Sequence, residues 1–297
     1  MSADPQAPLK NFKPTSRFFV GIDSDGCVFD TMEIKQKECF TPNTVKYWHL
    51  QSVAKYARES AEFVNLYSKW RGANRFPALV KALELLAERP EVKARGFKLP
   101  DITPLKRWIE TENKLGNPAL EELVKKNPDP ILKQTLEWSK AINAAIADMV
   151  FGVPPFPLVR ESLKKLQGRA DAIVVSQTPG EALVREWAEH DLTGYVAIIA
   201  GQEMGTKADH LRLAAHGKYE RNRTLMIGDA LGDLKAAQAN DMPFFPVNPG
   251  KEEASWERFH REALDRFLAG NYTGDYEAEL IKEFESYLPE TPPWKRG

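Results

Sequence analysis

Cysteine is nearly absent: Cys27 and Cys39 are the two in 297 residues, so no disulfide framework is available. Stability must come from an ordinary core, and a reducing, cytoplasmic compartment is the expectation. No apolar run approaches membrane-spanning length, and Met-Ser-Ala-Asp-Pro-Gln-Ala-Pro at the start carries no signal-like apolar segment. A membrane partner is therefore not expected. Charge of one sign is missing too. Lys plus Arg number 41 against 42 Asp plus Glu, a net charge of −1, so no global field would gather nucleic acid. The five histidines, His49, His190, His210, His216 and His260, have no metal-ligand spacing. Repeats and low-complexity tracts are absent. What remains is a globular chain long enough for one large or two ordinary domains, whose chemistry must be sought in local motifs.

Those motifs lie where short apolar runs end in polar corners. Phe18–Ile22 is aromatic and β-branched, suits a buried strand, and delivers Asp23 and Asp25 with Gly26 to turn the chain. Two carboxylates one residue apart repel each other unless a cation or a shared proton holds them. A divalent metal is the simplest answer. A second run, Thr224–Gly228, ends in Asp229, with Asp233 four residues on, and oxygen ligands gathered from two strand ends suit Mg²⁺. Asp171–Val175 leads to Ser176, beyond which Thr178, Pro179 and Glu181 read as N-cap, first helical residue and reciprocal capping partner. Val196–Ala200 leads to Gly205-Thr206-Lys207-Ala208-Asp209, a second capping box. Lys207 in a first helical turn opposes the helix dipole, so it calls for an anionic partner.

Taken in order, these four corners resemble the haloacid dehalogenase superfamily of aspartate-nucleophile phosphohydrolases. Asp23-Ser24-Asp25-Gly26-Cys27-Val28-Phe29-Asp30 stands for its first motif, Ser176 for the second, Lys207 for the third and Gly228–Asp233 for the fourth. The likeness covers about residues 15–30 and 150–250; Cys27 sits where the family commonly has threonine or valine. The resemblance implies a doubly wound, mainly parallel α/β sheet with an inserted all-helical cap. It also implies that Asp23 attacks phosphorus, that Asp25 serves as acid and then base, and that Ser176 and Lys207 hold the phosphoryl group. Mg²⁺ would be held by Asp23, the main-chain carbonyl of Asp25 and Asp229, with Asp233 either a ligand or the residue that positions Lys207. Asp30 is expected to support the loop.

The chain then divides into an N-terminal arm (1–16), a catalytic core (17–30 and 151–250), a helical cap (31–150) and a C-terminal helical extension (251–297). In the cap, Thr41-Pro42, Thr103-Pro104, Asn117-Pro118 and Asp129-Pro130 pair a capping side chain with proline at the first helical position. Apolar spacing predicts helices over 42–71, 77–89 and 131–149. Trp48, Trp70, Trp108 and Trp138 are expected to fill the cap core. Residues 244–247 read as a last strand, 254–268 and 275–287 as helices, and Pro292-Pro293 as the start of a frayed tail. The extension is expected to pack on the core or to mediate oligomers.

Residues 31–150 hold 20 Lys plus Arg against 15 Asp plus Glu, a basic surplus suited to an anionic substrate. Lys46, His49, Arg71 and Arg75, with Lys69 and Asn74 beside them, are the candidates for touching it. Hydrolysis of a small phosphate monoester is the expected activity, with a phosphomutase as the enzymatic alternative. Dehalogenases need no counterpart of Asp25. The non-enzymatic alternatives are a receiver-like protein phosphorylated on aspartate and a binding scaffold.

Overall fold

The computed structural model describes residues 4–295. Five strands form one parallel sheet: β1 (Phe18–Ile22), β2 (Ala170–Val175), β3 (Ile198–Ala200), β4 (Thr224–Gly228) and β5 (Phe244–Pro246), in the order β3-β2-β1-β4-β5. The protein is α/β, as expected. β1 lies at the centre, with Ile22 level with Val174 of β2 on one side and Ile227 of β4 on the other. Side chains from both faces of β1, β2 and β4 are buried, which is why these strands read as unbroken apolar runs. Gly21 is obligatory in β1, since a Cβ there would stand 2.6 Å from Leu211 Cδ2. The chain order reverses at β1, and such switch points open a crevice at the carboxyl ends of the strands.

The chain separates into two compact units. One runs through Thr31 and resumes from Phe151 to Pro289; the other comprises Met32–Val150 and the tail from Glu290. In the sheet-bearing unit the described part of the N-terminal arm is held against the core. Ala7–Lys10 is helical, and Leu9 is buried in the same cluster as Phe19, Ile173 and Val175. Lys218 Nζ donates to the carbonyls of Leu9 and Phe12, and Asp171 accepts from the Thr15 and Ser16 amides. The C-terminal helices are integral to this unit. Glu252–Ala269 is continuous through a π-turn at Phe259–Ala263, and Asp275–Tyr287 follows Gly270, whose φ of 77° suits the helix end. Trp256, Phe259 and Phe267 join the core beneath β1, and Tyr272 Oη donates to the Phe244 carbonyl at 2.7 Å.

The second unit is all helical, with a core that includes Trp48, Phe76, Trp108 and Trp138. Several helices depart from the sequence reading for local reasons. The stretch 42–71 is two helices, Thr41–Tyr47 and Ala54–Leu66, because His49 turns through the left-handed region at φ 54°. Thr41 is no cap: Lys35–Phe40 is already a π-turn, so Pro42 lies within a continuing helix. Proline supplies no N–H there, and nearby Asn43 Nδ2 and Thr44 Oγ1 each donate back to a carbonyl four residues earlier, Cys39 and Phe40. The helix expected from 77 begins at Arg75, with Asn74 Oδ1 accepting from the Phe76 amide. Asp129 does cap Pro130–Met149. The tail to Lys295 does not fray. Trp294 packs edge-on against Phe63, stacks under the Arg89 guanidinium at 4.4 Å, and Glu290 pairs with Lys69.

Candidate active site

The carboxyl end of β1 places Asp23 beside the end of β4, its amide donating to the Ile227 carbonyl at 3.0 Å. Asp23, Asp229 and Asp233 are all buried, with one carboxylate oxygen of each within 4.8 Å of the others. Lys207, the second residue of a capping box in which Thr206 and Asp209 bond reciprocally, reaches this cluster. Its Nζ lies 3.0 Å from Asp23 Oδ2 and 2.5 Å from Asp233 Oδ1. The helix start that looked wrong for a cation is thus explained by its acidic partners.

Asp233 folds back onto its own strand end. Its Oδ2 accepts from the amides of Asp229 (3.2 Å) and Ala230 (3.1 Å), so both oxygens are engaged. Gly228 makes this possible, because a Cβ there would meet Asp233 Cβ at 2.4 Å. Three carboxylates gather around the Lys207 ammonium. Burial pushes the Asp23 carboxyl well above its usual range, and the neighbouring Asp233 and Asp229 add to that against the pull of Lys207. Burial likewise raises Asp233, opposed by Lys207. For Lys207, burial alone would favour the neutral amine, but Asp23 and Asp233 overcome it and keep the ammonium charged. Three buried carboxylates supply the hard oxygen donors that Mg²⁺ prefers, so Asp23, Asp229 and Asp233 could hold such an ion.

Asp25 lies just beyond, half-buried, with a hydroxyl on each oxygen. Thr31 Oγ1 donates to Oδ1 at 2.5 Å and Thr178 Oγ1 to Oδ2 at 2.7 Å. Ser176, buried at the end of β2, accepts the Thr178 amide at 3.2 Å. The capping role expected of Thr178 is overturned: the helix Gly180–Glu189 starts later and has no side-chain cap of its own. Glu203 takes that place from another loop, its Oε2 accepting the Gly180 amide at 3.0 Å. The two loops approach closely because Gly201 has no side chain; a Cβ there would stand 2.8 Å from the Thr178 carbonyl.

Two indoles brace the loop that carries Asp23 and Asp25. Trp187 Nε1 donates to Ser24 Oγ (3.0 Å), which donates to Glu186 Oε2, and Trp256 Nε1 donates to the Cys27 carbonyl (2.7 Å). Cys27 itself is buried, and burial drives its thiol pKa up, so it is no nucleophile. Sequence reasoning missed Thr31, Trp187 and Trp256. Trp256 lies too far along the chain for any local signal.

The four basic candidates all belong to the helical unit. Lys46 and His49 have exposed side chains. Arg71 is buried and donates to the Leu66 carbonyl at 3.0 Å. Arg75 Nη1 donates to Ser139 and Asn143, and its guanidinium lies over Phe40 at 5.2 Å, with burial lowering its pKa to about 10. No helix among the described residues is long and apolar enough to cross a membrane.

No protein-family model matches the chain, and no curated protein is significantly similar to it. Solved structures do resemble it. A predicted phosphatase from Clostridium acetobutylicum has 17% identity and a TM-score of 0.43, covering 91% of this chain and 98% of its own. A haloacid dehalogenase-like hydrolase from Streptococcus pneumoniae has 14% identity and a TM-score of 0.44, with 91% and 100% covered. A HAD-superfamily hydrolase of subfamily IA from Geobacter sulfurreducens has 17% identity and a TM-score of 0.40, with 79% and 89% covered.

Proposed function

We propose that this protein is a Mg²⁺-dependent phosphohydrolase of the haloacid dehalogenase type, cleaving a small phosphate monoester through a phosphorylated Asp23. The observation that carries this reading is the buried set Asp23, Asp229 and Asp233 around Lys207, with Asp25 held two residues beyond the first acid. Such a cluster is costly to bury for structural purposes alone, and it suits a trianionic transition state that needs charge compensation and alignment.

Asp23 Oδ attacks phosphorus as the bond to the leaving oxygen breaks, and Asp25 gives that oxygen its proton. Asp25 then takes a proton from the water that attacks the phosphoryl group, and Asp23 is released as a carboxylate. Lys207 neutralises the nucleophile beforehand and the phosphoryl oxygens afterwards, while Ser176 donates to one of them. Asp233, with both oxygens engaged, positions Lys207, which leaves Asp23 and Asp229 as the side chains to hold the metal. Bound there, Mg²⁺ supplies charge compensation to the phosphoryl oxygens. For an anionic substrate, Lys46 and His49 are the candidates whose side chains are exposed; Arg71 and Arg75 are occupied in cross-bracing the helical unit.

Purified protein should hydrolyse p-nitrophenyl phosphate with Mg²⁺ and lose that activity with a chelator. Substrate panels of phosphorylated sugars, nucleotides and acids then separate monoester hydrolysis from phosphoryl return to sugar. An inactive wild-type protein across the whole panel would refute the reading.

A further inference from the structure

Thr178 stands apart from the four motif residues. Its neighbours, Pro179 and Gly180 at a helix start, mark it as an N-cap, yet its hydroxyl leaves the helix and donates to Asp25 Oδ2 at 2.7 Å. Everything around it fixes that choice. The Thr178 amide is held by Ser176 Oγ at 3.2 Å, and its carbonyl accepts the Gln202 amide at 3.1 Å. Glu203 caps the helix in its stead. A residue pinned on both sides of its backbone, with a β-branched side chain of few rotamers, presents its hydroxyl in one direction.

We propose that Thr178 is a positioning residue that aims Asp25 at the leaving oxygen, a role that rests on the phosphohydrolase reading. Asp25 has two oxygens, and Thr31 secures Oδ1 from the following helix. A second hydroxyl on Oδ2 removes rotation about the Cβ–Cγ bond, so the carboxyl plane is set before substrate arrives. Proton donation from Asp25 depends on that orientation, because misplacement by a fraction of an ångström forfeits much of the advantage of a held acid. The hydroxyl itself neither gains nor loses a proton overall; Oγ1 stays in place and only its O–H turns about the Cβ–Oγ1 bond as the proton passes from Asp25 to the departing alkoxide.

The dependence on leaving group makes this testable. An alkyl phosphate needs its oxygen protonated as the P–O bond breaks, whereas p-nitrophenolate departs largely without help. Thr178→Val keeps the shape and deletes the hydroxyl; Thr178→Ser keeps the hydroxyl. With Mg²⁺ at saturation, Thr178→Val should lower kcat for an alkyl phosphate by roughly tenfold to a hundredfold with KM little changed, and for p-nitrophenyl phosphate by less than about threefold. Thr178→Ser should restore most of the alkyl rate. The ratio of the two rates is taken on one sample, so partial unfolding of a variant cancels. An unchanged ratio in Thr178→Val, or a Ser variant as impaired as Val, overturns the role while the wild type remains a phosphatase. A wild type inert toward both esters instead overturns the phosphohydrolase reading, and this role with it.

Discussion

Both units bury charge, and they do so in opposite ways. In the helical unit each buried cation is answered locally. Arg71 meets a carbonyl, Arg75 meets Ser139, Asn143 and a phenyl face, and Arg89 pairs with Glu59 between the rings of Tyr56 and Trp294. Each guanidinium is held by groups of its own unit, and the result is a braced bundle. At the sheet's carboxyl edge, three buried carboxylates gather around one ammonium, a set whose oxygens could hold a metal ion. Cations held within a bundle serve structure, whereas acids clustered at the carboxyl ends of strands lie where α/β sheets suit a ligand.

The sharpest way to break that comparison is to remove one acid at the edge. Asp23→Asn should cut turnover at least about a thousandfold, because an amide cannot take the phosphoryl group. It should not destabilise the metal-free protein, since burial already disfavours the Asp23 charge. Gly228→Ala attacks the same cluster through its backbone. A Cβ 2.4 Å from Asp233 Cβ cannot be accommodated without moving the strand end, so stability should fall by about 1–3 kcal/mol by thermal melting, together with activity.

Acidification should distinguish the units next. His210, fully buried, has its pKa lowered to about 4 by burial, with Asp209 opposing and Lys207 assisting. The unfolded chain therefore binds the proton first, and stability contributed by the neutral ring is lost as pH falls from about 6.5 to about 4. The loss approaches about 3 kcal/mol, and chemical denaturation at both pH values should show it shrinking in His210→Gln. The smallest effects belong to the helical unit. Trp294→Ala should cost about 1 kcal/mol through its ring contacts with Arg89 and Phe63.

The same contrast explains what could be read from the chain. β1, β2 and β4 were legible because continuous apolar runs ending in Asp23, Ser176 and Asp229 have few other uses in an α/β sheet. Lys207 was legible because it violated dipole logic. Thr178 misled, since Thr-Pro-Gly is a good local cap and only a distant loop, through Glu203 and the bare Gly201, frees its hydroxyl. The helical unit was legible in its apolar stripes but not its breaks. His49 at positive φ and the π-turn before Pro42 depend on packing that no window of sequence contains. The tail was read as loose because two prolines precede Trp294, whose partners lie some two hundred residues away.

One experiment bears most directly on the acidic cluster. Wild-type protein mixed with Mg²⁺ and a ³²P-labelled phosphate monoester, then quenched in acid within a turnover, should carry acid-stable label on the peptide containing Asp23, and Asp23→Asn should carry none. Full hydrolysis by Asp23→Asn, or label that maps to another residue, would contradict the account.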